Sequence, residues 1–274
     1  MKAREHGTAE EHEHPHIMTS EGAEVAREPT GATAPVLTIR ALSGISGDRM
    51  LAGLMRMNRL EPADLAPVLA SVLPELSGCL ELARVSIGNI GGWRAVVSLP
   101  KQHAHRSLAD IESIIAGSHL APRARELAAD CFGRVARAEG QVHGLDPREV
   151  HFHEVGALDS ILDILLACEL FVRLAPRRLV ASPLPVADGA VACAHGLLPS
   201  PAPAVLEMLP GVPVRPFAGE GETITPTGLA LLLCFGAEFG PWPAMRVRDL
   251  ALVYGTRHFA NAPNGAIFAC GESA

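Results

Sequence analysis

Apolar residues become regular only from Val36 onward, and from there the chain alternates between strand-like and helix-like spacing. Val36-Leu37-Thr38-Ile39-Arg40-Ala41-Leu42 reads as a short strand, whereas Met50, Leu51, Leu54 and Met55 recur at helical spacing. Between them Ser43-Gly44-Ile45-Ser46-Gly47-Asp48 supplies a turn, so the run predicts strand, Ser/Gly turn and helix start. Short strands are expected near Leu80 to Val85 and Trp93 to Leu99. Ser107-Leu108-Ala109-Asp110 marks a helix start, with Ser as N-cap and an acid three residues on. Ile111, Ile114 and Ile115 continue its apolar face. Pro122 opens a second helix, on which Leu127, Cys131, Phe132 and Val135 form a core stripe and Gly144 is the expected stop. A third helix is predicted from about Ala157 to Leu174. Beyond it Pro and Gly punctuate the chain, leaving a helix from Ala204 to Leu209 and an apolar helix near Leu229 to Phe235. No internal repeat is visible.

These elements predict a mixed α/β (α+β) fold. A small sheet layer with the strand–turn–helix start precedes a mainly helical middle and a Pro/Gly-rich α+β C-terminal part. The expected divisions are a disordered tail over 1–34, a small α/β subdomain over 35–105, and a helical and mixed metal-site subdomain over 106–274.

Composition narrows the function classes. Hydrophobic residues are 48% of the 274 and aromatics only 4%, so the core must be mostly Leu, Val, Ala and Ile. A net charge of −7 argues against non-specific nucleic-acid binding, which needs a basic face. No run approaches the roughly 18 apolar residues of a membrane span, and the N-terminus does not resemble a signal peptide. The 6 cysteines include no C-x-x-C pair, so they read as buried or incidental thiols in a reducing cytoplasm. In the polar tail, His12-Glu13-His14-Pro15-His16 with His6 is a short tract able to collect metal ions, or an incidental tail.

The sharpest chemistry lies at His151-Phe152-His153-Glu154. If this stretch is extended, both imidazoles face one side with a carboxylate beside them, a start for a borderline divalent metal. A pair of hydrogen-bonded histidines at a strand edge is the structural alternative. Asp159 and Asp163 alter the balance, because they share one face of an otherwise apolar helix, where like charges repel unless a cation is near. Asp159 suits a first helical turn, whereas Asp163 has no such reason to be there. Glu139 and His143 are likewise four apart, read as an exposed pair or part of the same site. His103 and His105 form a second H-x-H, and His195 lies in a Gly-flanked loop. The turn from Ser43 to Asp48 aims backbone N–H groups at an anion if a helix follows, although it matches no phosphate-loop pattern.

The chain resembles the nickel-pincer-nucleotide cyclometallase family (LarC), the nickel insertion proteins of lactate racemase cofactor synthesis. The resemblance rests on Ser43 to Asp48, Val150 to Ser160, Ala194-His195-Gly196-Leu197-Leu198-Pro199, Pro201-Ala202-Pro203-Ala204 and Thr225-Pro226-Thr227-Gly228, in order from about Val36 to Phe259. It implies nickel insertion into a pyridinium-3,5-bisthiocarboxylate mononucleotide, forming one Ni–C and two Ni–S bonds with CTP hydrolysed, magnesium accompanying the CTP. His151, His153, Glu154, Asp159 and Asp163 would hold nickel, with His195, His103 and His105 as further ligands. Asp48, Glu154 and Asp159 are the candidate catalytic groups, and Ser43, Gly44, Ser46 and Gly47 the phosphate-binding turn. Where the family carries an acid at the end of the first strand, Arg40-Ala41-Leu42 stand here. The family's Gly-Thr-Arg-Asp is Gly255-Thr256-Arg257-His258, and its usual C-terminal domain has no counterpart. A separate chain supplying that domain and a homo-oligomer are the expected partners. The competing reading is a non-catalytic nickel-binding chaperone or regulatory paralogue; a metal-free nucleotide-binding scaffold is the third.

Overall fold

The structure is a computed structural model that describes residues 35–72, 78–99, 106–152, 157–193 and 196–274 (for 191–193, the backbone alone). The expected tail over 1–34, with its His tract, lies outside the described residues, as do His103, His105, His153, Glu154 and His195. Residues 33–274 cluster as one compact unit.

The opening strand β1 (Val36–Ala41) is buried along its whole length. Leu37, Ile39 and Ala41 join the main hydrophobic cluster on one face. On the other, Thr38 and Arg40 hydrogen-bond the Val180 carbonyl, and Arg40 lies 5.6 Å from the Trp242 ring centroid. The expected turn and helix follow, the helix being α1 (Gly47–Asn58), which ends at Arg59 in the left-handed conformation. An unexpected helix α2 (Pro62–Val72) comes next; Pro67 inside it is the residue that argues against a helix from sequence. Strands β2 (Leu80–Ile87) and β3 (Ile90–Val97) form an antiparallel hairpin, β3 starting three residues ahead of the expected Trp93.

A two-residue strand β4 (Arg106–Ser107) leads into α3 (Leu108–Gly117), which begins with the capping box anticipated at Ser107 and Asp110. The long α4 (Pro122–His143) opens on its Pro and closes at Gly144, which has φ 69°, the left-handed residue that a helix stop needs. Strand β5 (His151–Phe152) pairs antiparallel with β4. Helix α5 (Leu158–Leu174) is buried along most of its length. The remaining elements are β6 (Arg178–Ala181), β7 (Leu184–Val186), β8 (Ala190–Cys193), β9 (Gly196–Pro199), α6 (Pro203–Met208), β10 (Val214–Pro216), α7 (Pro226–Cys234), β11 (Glu238–Phe239), β12 (Met245–Val253) and β13 (Ala266–Ser273).

The fold is mixed α/β, as expected, but its sheet is larger than a small N-terminal layer. Seven strands run in the order β11-β6-β1-β13-β12-β3-β2, so strands from both sides of residue 105 share one sheet. β1 is parallel to β6 and antiparallel to β13. Helix α1 packs against β3, β12 and β13; α5 packs on α1, and α4 on α5. A Cβ on Gly53 would collide with the Phe268 ring, so the glycine lets α1 sit directly on β13. Among the described residues no helix is long and apolar enough to cross a membrane.

Candidate functional site

The turn after β1 is held by its neighbours rather than by itself. Ser43 is fully buried; its Oγ accepts the Gly265 N–H at 2.8 Å and its own N–H donates to the Gly265 carbonyl at 3.0 Å. Ile45 N–H donates to Thr223 O at 2.9 Å, and Thr225 N–H returns to Ile45 O at 3.1 Å. Gly44 has φ 111° and presses on the Thr223 carbonyl, a conformation and a proximity that a side chain would forbid. The start of α1 is thereby laid beside the start of α7, where Thr225 is the N-cap and its Oγ1 accepts from Gly228 N–H at 3.2 Å.

Both helix starts open into a cavity of about 700 Å³, a size suited to a small ligand. Ser46 and Asp48 line it, the Ser46 hydroxyl donating to Asp48 Oδ1. That oxygen also accepts Arg49 N–H at 2.8 Å. From α5 come Asp159 and Asp163, and from β5 comes His151. Asp159 is exposed in the first turn, its Oδ1 accepting Ser160 N–H at 2.8 Å. Asp163 sits against the α1 start: a Cβ on Gly47 would stand 2.8 Å from the Asp163 Cβ and 3.0 Å from its Cγ.

Asp163 is the strained member of the group. The residue is half-buried, yet its Oδ1 is sealed from solvent and has no hydrogen-bond partner among the described residues. Burial, then the charges of Asp48 and Asp159, push its carboxyl well above the usual carboxylate range. Such a group either keeps its proton or takes a cation.

His151 projects exposed from β5, next to buried Phe152, whose ring meets Phe132 edge-on with centroids 6.4 Å apart. Glu139 and His143, at the end of α4, also line the cavity and approach to 3.5 Å. The structure therefore brings Ser46, Gly47, Asp48, His151, Asp159 and Asp163 to one cavity. Ser43 and Gly44 support it from behind, and neither is among its lining residues. Among the described residues no group of three or more His, Cys, Asp and Glu is close enough to hold a metal by itself. Cys131 and Cys234 are not alternatives: burial drives the Cys131 thiol upward, a hydrogen bond with Cys131 and then burial raise Cys234, and neither lines the cavity.

Several lining residues escaped sequence reasoning. Arg49 is hidden within the apolar pattern of α1, Thr223, Thr225 and Arg257 belong to loops without periodicity, and Thr227 lies in the first turn of α7. The sequence signals for them were the Thr225-Pro226-Thr227-Gly228 motif, in which Ser/Thr before Pro marks a helix start, and the run Gly255-Thr256-Arg257-His258.

The nickel insertion protein family matches residues 37–270 of the chain. A relative from Desulfitobacterium hafniense, named pyridinium-3,5-bisthiocarboxylic acid mononucleotide nickel insertion protein, is 41% identical over 235 residues, covering 85% of this chain and 57% of its own length. A protein of the same name from a Nocardioides species is 40% identical over 226 residues, with 82% and 57% covered. A relative from Geobacter metallireducens, also named for nickel insertion, is 39% identical over 238 residues, with 87% and 61% covered. The chain spans about three-fifths of the length of these curated relatives. No solved structure matches it.

Proposed function

Because the chain belongs to the nickel insertion protein family, we propose that its cavity holds nickel for transfer into a pyridinium-3,5-bisthiocarboxylic acid mononucleotide, the substrate in its relatives' names. The observation that carries this reading is Asp163, a sealed and unpartnered carboxyl oxygen set beside Asp159 and Asp48. A divalent cation relieves all three at once, by neutralising the repulsion and occupying the bare lone pair. Nickel is here cargo, and it must be released. Carboxylate and imidazole hold it less tightly than a thiolate cage, which agrees with the acids and His151 on the cavity wall.

In this proposal Asp163, Asp159 and His151 are ligands, and His153 and Glu154 complete the set from the segment between β5 and α5. His195, His103 and His105 are further ligands. Asp48, Glu154 and Asp159 act as catalytic groups. Ser43, Gly44, Ser46 and Gly47 shape the turn that faces the nucleotide. CTP with magnesium is the co-substrate, the site of action is cytoplasmic, and a chain supplying a C-terminal domain and a second copy are the partners.

The test is to purify the protein without added ions and measure bound metal by elemental analysis. The protein is then incubated with nickel, CTP, magnesium and the thiolated precursor, with and without the C-terminal part of a relative. Mass spectrometry should detect nickel-bearing nucleotide. Stoichiometric nickel without product in either arm identifies a carrier instead, and absence of nickel binding overturns the reading.

A further inference from the structure

Three buried polar atoms lack a hydrogen-bond partner among the described side chains: Asp163 Oδ1, Arg49 Nε and Arg94 Nε. Nickel accounts for the first alone. Arg49, on the first turn of α1, is 4% exposed and lines the cavity. Its guanidinium lies across Gly255, where a Cβ would stand 2.9 Å from Nε. It reaches only long contacts, 3.3 Å from Nη1 to Ser43 O and 3.4 Å from Nη2 to Ser43 Oγ, and no carboxylate within ion-pair distance among the described residues. Burial lowers its proton affinity; the charge of Asp48 works against that, and Arg94 adds a smaller repulsion. Arg257, two residues beyond Gly255, lines the same cavity, is exposed and has no ion pair among the described residues. The starts of α1 and α7 meet the cavity side by side, joined by the bridge between Ile45 and Ile224. Two guanidiniums, one of them sealed and underused, and two positive helix ends therefore face one space.

We propose that Arg49 and Arg257, with the starts of α1 and α7, form a subsite for the phosphomonoester of a pyridinium mononucleotide, which turns its ring toward Asp159 and Asp163. The assignment rests on the nickel-insertion reading of the cavity, because that reading supplies a ligand with a phosphate at one end and the metal-accepting ring at the other. A phosphate dianion suits this wall because a planar guanidinium grips two of its oxygens and helix N–H groups satisfy the rest.

The experiment is calorimetric titration of the full chain with nicotinate mononucleotide and with nicotinate riboside, which differ by the phosphate alone. The mononucleotide should bind at least about tenfold more tightly, the scale of a charge-assisted contact. Arg257→Gln, an exposed change that leaves the core alone, should lower mononucleotide affinity about tenfold and leave the riboside unchanged. Arg49→Gln should do the same, its fold checked by circular dichroism. Equal binding of the two ligands by the wild type, or a preference that survives both substitutions, overturns the subsite. CTP binding that needs both arginines, without mononucleotide binding, overturns its assignment to the substrate. Nickel titration of the same samples separates the two readings. Lost nickel binding with an intact phosphate preference defeats only the metal site, whereas nickel binding unchanged by Arg257→Gln with phosphate preference lost supports the subsite.

Discussion

A carboxyl that is sealed and unpaired in the native state binds its proton more tightly there than in the unfolded chain. Asp163 is such a group, and Asp48 and Asp159 strengthen the effect. With the folded pKa raised, the native state holds more protons than the unfolded state above the ordinary carboxylate range of about 4. Metal-free stability should therefore fall as pH rises from that range through the raised native value. Asp163→Asn removes this slope. Denaturant melts from pH 5 to pH 8 should show the variant gaining on the wild type as pH rises, and a constant difference would refute the burial argument. The same substitution should weaken nickel binding by about tenfold or more, measured by competition with a metal-sensitive dye. Sequence spacing exposed Asp159 and Asp163 because a helical period puts residues four apart on one face. It concealed Arg49, because a guanidinium lying flat on Gly255 depends on β12 and the loop after it, more than two hundred residues away.

Elements set the positions of these side chains, and two junctions are sensitive. Ser107 is both the N-cap of α3 and the strand partner of His151. Its hydroxyl accepts Asp110 N–H at 3.2 Å while Asp110 Oδ2 accepts Ser107 N–H at 2.9 Å. Ser107→Ala should cost about 1 kcal/mol, lowering the thermal midpoint by about 2–4 °C. Scanning calorimetry checks this, and an unchanged midpoint would mean that the box contributes nothing. At the other junction, Gly47→Ala drives a methyl into Asp163. Overpacking of this kind costs about 1–3 kcal/mol, and nickel affinity should fall with stability. The capping box, the stripe of α4 and its Gly144 stop were all legible, since each is encoded within one or two turns. β12 and β13 were not. Arg246, Arg248 and Asp249 interrupt one, and Ala, Cys and Gly dominate the other, so neither shows clean alternation. Their strand character comes from pairing with distant partners.

For the whole molecule, residues 33–274 form one compact unit, so the His-bearing tail can be tested separately. If the cavity is the nickel site proposed for it, deleting residues 1–32 should keep the thermal midpoint and tight nickel binding, and remove at most weakly bound ions. Calorimetric titration distinguishes the two classes, and loss of the tight site would move metal binding to the tail. The sheet also explains why the expected boundary near 105 is hard to place from sequence: β1, β2 and β3 come from before it, and β6, β11, β12 and β13 from after it.

The bond from Gly265 N–H to Ser43 Oγ spans 222 residues. On the ribosome, Ser43 emerges early and waits for most of the chain before its anchor appears, as β1 waits for β6 and then β13. Until then a wholly apolar-flanked strand and the acids of α1 and α5 are present without the pocket that arranges them. Such late, non-local closure is slow and leaves unpaired strand edges open to aggregation. On the proposed reading of the cavity it also delays metal capture until translation of this region is almost finished. A nascent chain halted before residue 265 should need a chaperone to stay in solution, and should gain a tight nickel site only once β13 has been made.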